Sequence, residues 1–175
     1  MGWKRVAKSK VKRLLSNDLP KKVIEGLVSD KYFLINSNKP ADIHCVSKRV
    51  LEVFNQIKSQ GVQPLYLGER VCDTQDFKKA RLSLSFARKA SEHDVPRAIV
   101  NNKAEQLFLY TRDVWSSSII RAEGNVKRRR LVFVFNQDGL FLGLAFATGD
   151  KIMDKGRTKT LRNVIDIGYY LRAEG

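Results

Sequence analysis

The chain is short of the residues from which active sites and metal centres are built, with two cysteines and two histidines in 175 positions. Cys45 and Cys72 form no C-x-x-C pair and are too few for a disulfide framework, so a reducing interior is the default expectation. His44 and Cys45 are neighbours on a predicted strand, where their side chains point to opposite faces and cannot chelate one ion. His93 has no cysteine or carboxylate pair at ligand spacing. The sequence contains no G-x-x-x-x-G-K-[ST] phosphate loop, no G-x-G-x-x-G after a strand and no G-x-S-x-G elbow. Asp73 and Asp76, at i and i+3 in a polar loop, come nearest to paired acids, and loop solvation accounts for them. No metal, no cofactor and no catalytic centre are therefore expected. An apolar run of the ~20 residues needed to span a bilayer is also missing. The basic start lacks the apolar core and cleavage site of a signal peptide, so an intracellular, soluble protein is expected.

Acid is the other scarcity: 18 Asp and Glu stand against 33 Lys and Arg, for a formal charge of +15. That excess exceeds what solubility needs and implies an anionic partner, with nucleic acid favoured over a membrane surface or an acidic protein. Both halves share it, with 19 basic and 10 acidic residues before Val95 and 14 and 8 from there on. A hydrophobic content of 43% marks a globular chain, long enough for one large domain or two small ones.

Two apolar runs dominate the pattern. Leu131-Val-Phe-Val-Phe135 and Leu140-Phe-Leu-Gly-Leu-Ala-Phe146 are joined by Asn136-Gln-Asp-Gly139, which predicts a β-hairpin because Asp-Gly supplies the positive φ of a tight turn. Strands so apolar must be buried on at least one face, while charges at their ends must be solvated or matched by an anion. Five of the ten residues from Arg121 to Arg130 are basic, and Lys151, Lys155, Arg157, Lys159 and Arg162 follow the hairpin. A small β-barrel with a positive rim is the expected result.

Upstream, residues 1–22 carry eight Lys or Arg and one acid. Val11, Leu14 and Leu15 recur at helical spacing, so a basic amphipathic helix is expected, able to dock on RNA, on anionic lipid or on its own domain. Pro20 opens a second helix through Leu27 with Val23, Ile24 and Leu27 on one face. Tyr32–Ile35 and Asp42–Val46 are predicted strands around a turn-rich Asn36-Ser-Asn-Lys-Pro40. Ser47 is the predicted N-cap of a helix whose apolar face is Val50, Val53, Phe54 and Ile57. Lys48 and Arg49 lie at the disfavoured end of that helix dipole, as anion contacts or as ordinary surface charge. Pro64–Gly68 and Arg81–Phe86 are predicted strands, the latter from the alternation of Leu82, Leu84 and Phe86 with Arg81, Ser83 and Ser85. A short helix over Ala87–His93 follows, and Asp94-Val-Pro96 is the predicted domain boundary.

The candidate site residues are accordingly electrostatic. Lys151, Lys155, Arg157, Lys159 and Arg162 are the candidate phosphate ligands, because each cation placed on a phosphate releases condensed counterions. Arg128 and Arg129 are further candidates, although alternation along a strand lets only part of the Arg128-Arg129-Arg130 triplet meet one backbone. Tyr110, Trp115, Tyr169 and Tyr170 can stack on unpaired bases or pack at the barrel end.

Ala104-Glu-Gln-Leu-Phe-Leu-Tyr110, Gly143-Leu-Ala-Phe-Ala147 and Val164-Ile-Asp-Ile-Gly-Tyr-Tyr-Leu-Arg172 together resemble the PUA domain of the Nip-seven family of ribosome biogenesis factors. Ile43-His-Cys-Val-Ser-Lys-Arg-Val50, Leu65-Tyr-Leu-Gly68 and Phe77-Lys-Lys-Ala-Arg-Leu-Ser-Leu84 resemble that family's N-terminal domain in the same order. The resemblance implies an α+β chain: an N-terminal α/β domain with an antiparallel sheet and flanking helices over 1–95, then a PUA pseudobarrel over 96–175. It implies a non-catalytic factor for large ribosomal subunit assembly and pre-rRNA processing. Its archaeal members bind single-stranded U-rich or AU-rich RNA through basic PUA residues before the final Asp-hydrophobic-Gly motif. Lys159 and Arg162 match such positions. Thr158 and Ile165 stand where archaeal relatives carry basic side chains, with Lys155 and Arg157 nearby to compensate.

The first thirty residues are basic where the family often begins with an acidic helix, and a eukaryote-like C-terminal extension is lacking. An archaeal, cytoplasmic member is expected, or a nucleolar one if eukaryotic, monomeric and working with assembly factors and exosome proteins. The alternatives are an RNA-modifying enzyme that uses the PUA module to hold substrate, and a protein adaptor whose charge serves acidic partners.

Overall fold

The computed structural model describes residues 2–36, 40–153 and 158–173. The chain divides into two compact units, Met1–Phe86 and Ala87–Gly175. Among the described residues, six α-helices and two sheets make an α+β protein.

The first unit is built on a five-stranded sheet of β1 (Trp3–Val6), β2 (Tyr32–Asn36), β3 (Ala41–Val46), β4 (Glu69–Thr74) and β5 (Arg81–Leu82), paired antiparallel in that order. Helix α1 (Lys8–Leu15) follows β1 and buries Val11, Leu14 and Leu15. Its predicted apolar face therefore belongs to its own domain. Helix α2 (Lys21–Val28) starts after Pro20 and buries Val23, Ile24 and Val28. Ser47 caps α3 (Lys48–Ser59), its hydroxyl accepting the Val50 N–H at 3.3 Å.

Four local expectations are corrected. Helix α3 turns Leu51 and Phe54 inward, not Val50 and Val53; Val53 is 49% exposed. Pro64–Gly68 is a loop, with Leu65 97% exposed, because the segment serves as a tie: the Pro64 carbonyl accepts the Trp3 indole N–H at 2.8 Å. The strand at Arg81 stops after two residues, and α4 (Leu84–Ser91) begins where the Ser83 hydroxyl accepts the Phe86 N–H at 3.2 Å. Asp73, expected in a solvated polar loop, is buried on strand β4, where its carboxylate pairs with Arg70 of the same strand and Arg81 of β5.

The second unit is one curled sheet of β6 (Arg97–Val100), β7 (Val114–Trp115), β8 (Ile119–Glu123), β9 (Leu131–Phe135), β10 (Phe141–Ala147) and β11 (Lys159–Asp166), in the order β7-β11-β10-β9-β6-β8. Its two edge strands, β7 and β8, are separated in sequence only by Ser116–Ser118, so the sheet must curl until its edges approach. Helix α5 (Asn102–Phe108), capped by Asn101, packs Ala104 and Phe108 into the core with Val114, Val132, Val134, Leu142 and Leu161. The predicted hairpin forms β9 and β10, with Gly139 at φ 79° in its turn. Gly143 lets β10 and β11 approach closely; a Cβ there would meet the Ile165 carbonyl oxygen at 2.3 Å. Helix α6 (Gly168–Ala173) closes the unit.

Because Phe108 is fully buried in this core, Phe108→Ala is expected to cost about 3–5 kcal/mol, read from the urea midpoint of the transition reported by Trp115 fluorescence.

Candidate nucleic-acid interface

The sequence places basic residues at the strand ends of the curled sheet, and backbone pairing brings several of them to one end. The chain enters β9 through a loop in which the Arg128 N–H donates to Asp150 Oδ1 at 2.9 Å and the Arg129 N–H to the Ala147 carbonyl at 2.7 Å. Arg129 holds φ +63°, the left-handed conformation that turns the chain there. Ala147 ends β10, and the next residue, Thr148, ties to the start of β11: its N–H donates to the Thr160 carbonyl at 2.9 Å and its hydroxyl to the Lys159 carbonyl at 2.7 Å. Lys159 in turn lies opposite Trp115 of β7. Arg128, Arg129, Lys151, Lys159 and Trp115 thus come from four adjacent chain segments at the same end of the sheet, and all five are exposed.

Lys159 Nζ lies 5.9 Å from the centre of the Trp115 ring and 3.7 Å from Asp113 Oδ2. At a surface such an ion pair is worth at most about 1 kcal/mol, so Lys159 can exchange Asp113 for a phosphate at low cost. Trp115 is 42% exposed and offers an indole face beside this cation. Arg162 is farther along β11, opposite Phe146 of β10, with its guanidinium carbon 5.9 Å from that ring. It lines a strand face running away from the end where Lys159 sits. Lys155 and Arg157 lie outside the described residues.

Tyr110 is placed elsewhere. It follows α5, whose last carbonyls are tied to the Asn163–Asp166 half of β11: Asn163 Nδ2 donates to the Phe108 carbonyl at 2.9 Å, and the Arg172 guanidinium donates to that of Leu109. Tyr169 and Tyr170 belong to this region through α6, their rings 5.8 Å apart at 78°. The Asp-hydrophobic-Gly motif acts here as an anchor. Asp166, 1% exposed, accepts from Arg172 at 3.0 and 3.3 Å and from Asn163 at 3.2 Å. A side chain at Gly168 would strike the Leu109 carbonyl oxygen at 2.2 Å. Stacking platforms therefore occur at two places in this unit, of which the Trp115 one carries the cations.

The acids and histidine of the first unit are committed to structure. Arg70 binds Asp42 at 2.7 Å and Asp73 at 3.0 Å, and Arg81 binds Asp73 at 2.7 Å, while Asp76 accepts the Lys78 N–H at 2.9 Å. Asp73 and Asp76 thus serve different partners. Cys72 is fully buried and its thiol is pushed up to about 12, mainly by burial and secondarily by Asp73. Among the described residues no group of three or more His, Cys, Asp or Glu is placed to hold a metal, and no helix is long and apolar enough to cross a membrane.

Residues 97–175 match the UPF0113 PUA domain. The chain is 28% identical over 142 residues to a UPF0113 protein of Archaeoglobus fulgidus, covering 79% of this chain and 77% of the relative. In fold it is similar to a hypothetical protein of Pyrococcus horikoshii OT3, with a TM-score of 0.66 at 15% identity over 94% of this chain and 93% of the other. A conserved PUA domain protein of Thermoplasma acidophilum gives 0.62 at 14% identity over 98% and 99% of the two chains.

His44 is 2% exposed, with Nδ1–H donated to the Leu67 carbonyl at 2.7 Å and the rings of Trp3 and Tyr66 edge-on at 4.7 and 4.8 Å. Burial pushes its pKa below the ordinary 6.5, against the raising effects of Leu67 and Asp42. The unfolded chain then takes up this proton first, so stability is complete above about pH 6.5 and declines as pH falls towards the lower folded value. The urea midpoint is expected to drop between pH 7 and 5, and His44→Gln to flatten that part of the profile. Over residues 97–175 the C-terminal unit matches the UPF0113 PUA domain, a match that suggests RNA binding.

Proposed function

We propose that this protein is a non-catalytic RNA-binding factor of large ribosomal subunit assembly and pre-rRNA processing. The observation that carries the reading is the placement of exposed Arg128, Arg129, Lys151 and Lys159 at one end of the PUA sheet, with Lys159 beside the exposed Trp115 ring. Exposed cations at one end of the sheet, with one of them beside an exposed indole, suit the backbone and an unstacked base of single-stranded RNA. Duplex RNA offers no free base face for Trp115 to meet. U-rich or AU-rich RNA is the preferred ligand in this reading, because such sequences stay unpaired and present their bases. The resemblance of Ala104–Tyr110, Gly143–Ala147 and Val164–Arg172 to the Nip-seven family supports the ribosomal assignment, with assembly factors and exosome proteins as partners. An archaeal protein of this kind would work in the cytoplasm.

The RNA contact is tested with short U-rich, A-rich and mixed oligonucleotides at two salt concentrations. Lys159→Ala/Arg162→Ala is expected to weaken binding and to lower the salt slope by about 0.7 per lost phosphate contact. Unchanged affinity and slope would remove the PUA strand β11 from the interface.

The chain has two tryptophans, of which Trp3 is buried and Trp115 is not. RNA binding is therefore expected to quench fluorescence in the parent but not in Trp115→Phe, and quenching that survives this substitution would exclude stacking on Trp115. Turnover of modified nucleosides on bulk rRNA by the purified protein would replace the non-catalytic reading with an RNA-modifying enzyme.

A further inference from the structure

The N-terminal unit carries a second basic site, at the junction of β1 with α1 and of α2 with β2. Strands β1 and β2 are antiparallel, with Arg5 opposite Leu34 and Val6 opposite Phe33. That register sets the end of β1 beside the start of β2 and brings together residues 26 positions apart in the chain. Between them lies a pocket of about 320 Å³ whose polar lining is Arg5, Lys8, Lys31 and Tyr32. Its size is at the lower end of ligand pockets, which start at about 300 Å³, and suits one nucleotide unit.

Three cations line this pocket, and among the described residues none of them pairs with a carboxylate. The neighbouring Asp30 is exposed and makes no ion pair with them. Two of the three cations are held in place. The Arg5 guanidinium lies 5.7 Å from the centre of the Tyr32 ring, which itself packs against the cluster of Trp3, Leu34, Val46, Leu51 and Phe54. Lys8 donates to the Ser29 carbonyl. Such fixation lowers the entropy lost when an anion is bound, and the planar guanidinium fork matches phosphate geometry. The Ala7 cap of α1 offers no side-chain oxygen to the first-turn N–H groups, and no acid stands in that turn.

A lipid surface is disfavoured as the source of the phosphate. The apolar face that α1 would need to enter a bilayer, Val11, Leu14 and Leu15, is at most 2% exposed.

We propose that this pocket is a second RNA-backbone site, in which Arg5, Lys8 and Lys31 hold one phosphodiester of single-stranded RNA and the Tyr32 ring fixes Arg5 for that contact. The proposal rests on the RNA-binding reading but not on the PUA residues that carry it. It also gives the high charge of the N-terminal half a ligand.

The test uses the full chain and a U-rich single-stranded oligonucleotide, comparing Arg5→Gln/Lys31→Gln, Lys159→Ala/Arg162→Ala and the combination of all four substitutions. Loss of at least about threefold in affinity and about 0.7 of salt slope in the Arg5/Lys31 variant supports the site, most clearly if the combined variant loses more than either double. Amide shifts of Ala7, Lys8, Ser9 and Tyr32 on adding the oligonucleotide to the unsubstituted protein give the same answer without relying on how a variant folds.

Parent-like binding by the Arg5/Lys31 variant with unmoved amides overturns the proposal and leaves the PUA interface standing. Parent-like binding by the Lys159/Arg162 variant, with loss in the Arg5/Lys31 variant, removes β11 from the PUA interface and leaves this site standing. Amide shifts produced by inorganic phosphate or by anionic vesicles but not by the oligonucleotide overturn the RNA assignment, in favour of a small-anion or a lipid-headgroup site.

Discussion

The closing of the six-stranded sheet governs the C-terminal unit. Only Ser116–Ser118 separate the two edge strands in sequence, so an open sheet would leave β7 and β8 at opposite margins with no chain to span them. Curling resolves that conflict. It then imposes the rest. Every residue from Leu131 to Phe135 is buried, so charge has no place in the middle of the hairpin and is expelled to its ends. Gly143 is required because β10 and β11 approach there to within a distance that a side chain would block. Asp166, buried at the far end of β11, fixes α6 and the end of α5 through Arg172 and Asn163. A rigid frame results, with its cations displayed at the end where Lys159 begins β11.

Such a display has an electrostatic cost. With 33 basic and 18 acidic side chains, the folded chain repels itself. The first unit handles its buried charge differently, by closing Arg70 and Arg81 around Asp42 and Asp73. The contrast separates charge that stabilises a fold from charge left for a ligand. Exposed cations gathered at one end, next to a half-exposed indole, are the second kind.

Much of this was legible in sequence, and the failures have particular causes. The hairpin and the helix face at Val11, Leu14 and Leu15 were readable because their apolar periodicity is set by the core alone. Arg81–Phe86 alternates like a strand, yet the Ser83 hydroxyl begins a helix at Leu84, so a capping interaction overrode period-2 patterning. Strand β4 was hidden because its Arg70 and Asp73 are satisfied by partners on β3 and β5, which local sequence does not reveal. Strand β1, Trp3–Val6, is only four residues long and sits within a basic stretch. In the candidate site, Lys159 and Trp115 are 44 residues apart and meet only through the pairing of β7 with β11. Arg5 and Lys31 were not singled out for the same reason: what joins them is the register of β1 on β2.

Asp113 bears on how the PUA end can release Lys159 to a ligand. One of its carboxylate oxygens accepts the Asn163 N–H at 3.1 Å, and the other faces Lys159 Nζ at 3.7 Å. The carboxylate is therefore anchored to the backbone of β11 whether or not Lys159 stays, and losing the lysine leaves no bare buried acid. Lys159 side-chain exposure is 59%, so water already screens the pair. A phosphate can then draw the ammonium away with little penalty while Asp113 keeps its bond to Asn163 of β11. The same acid, held close by, repels a second anion from that position.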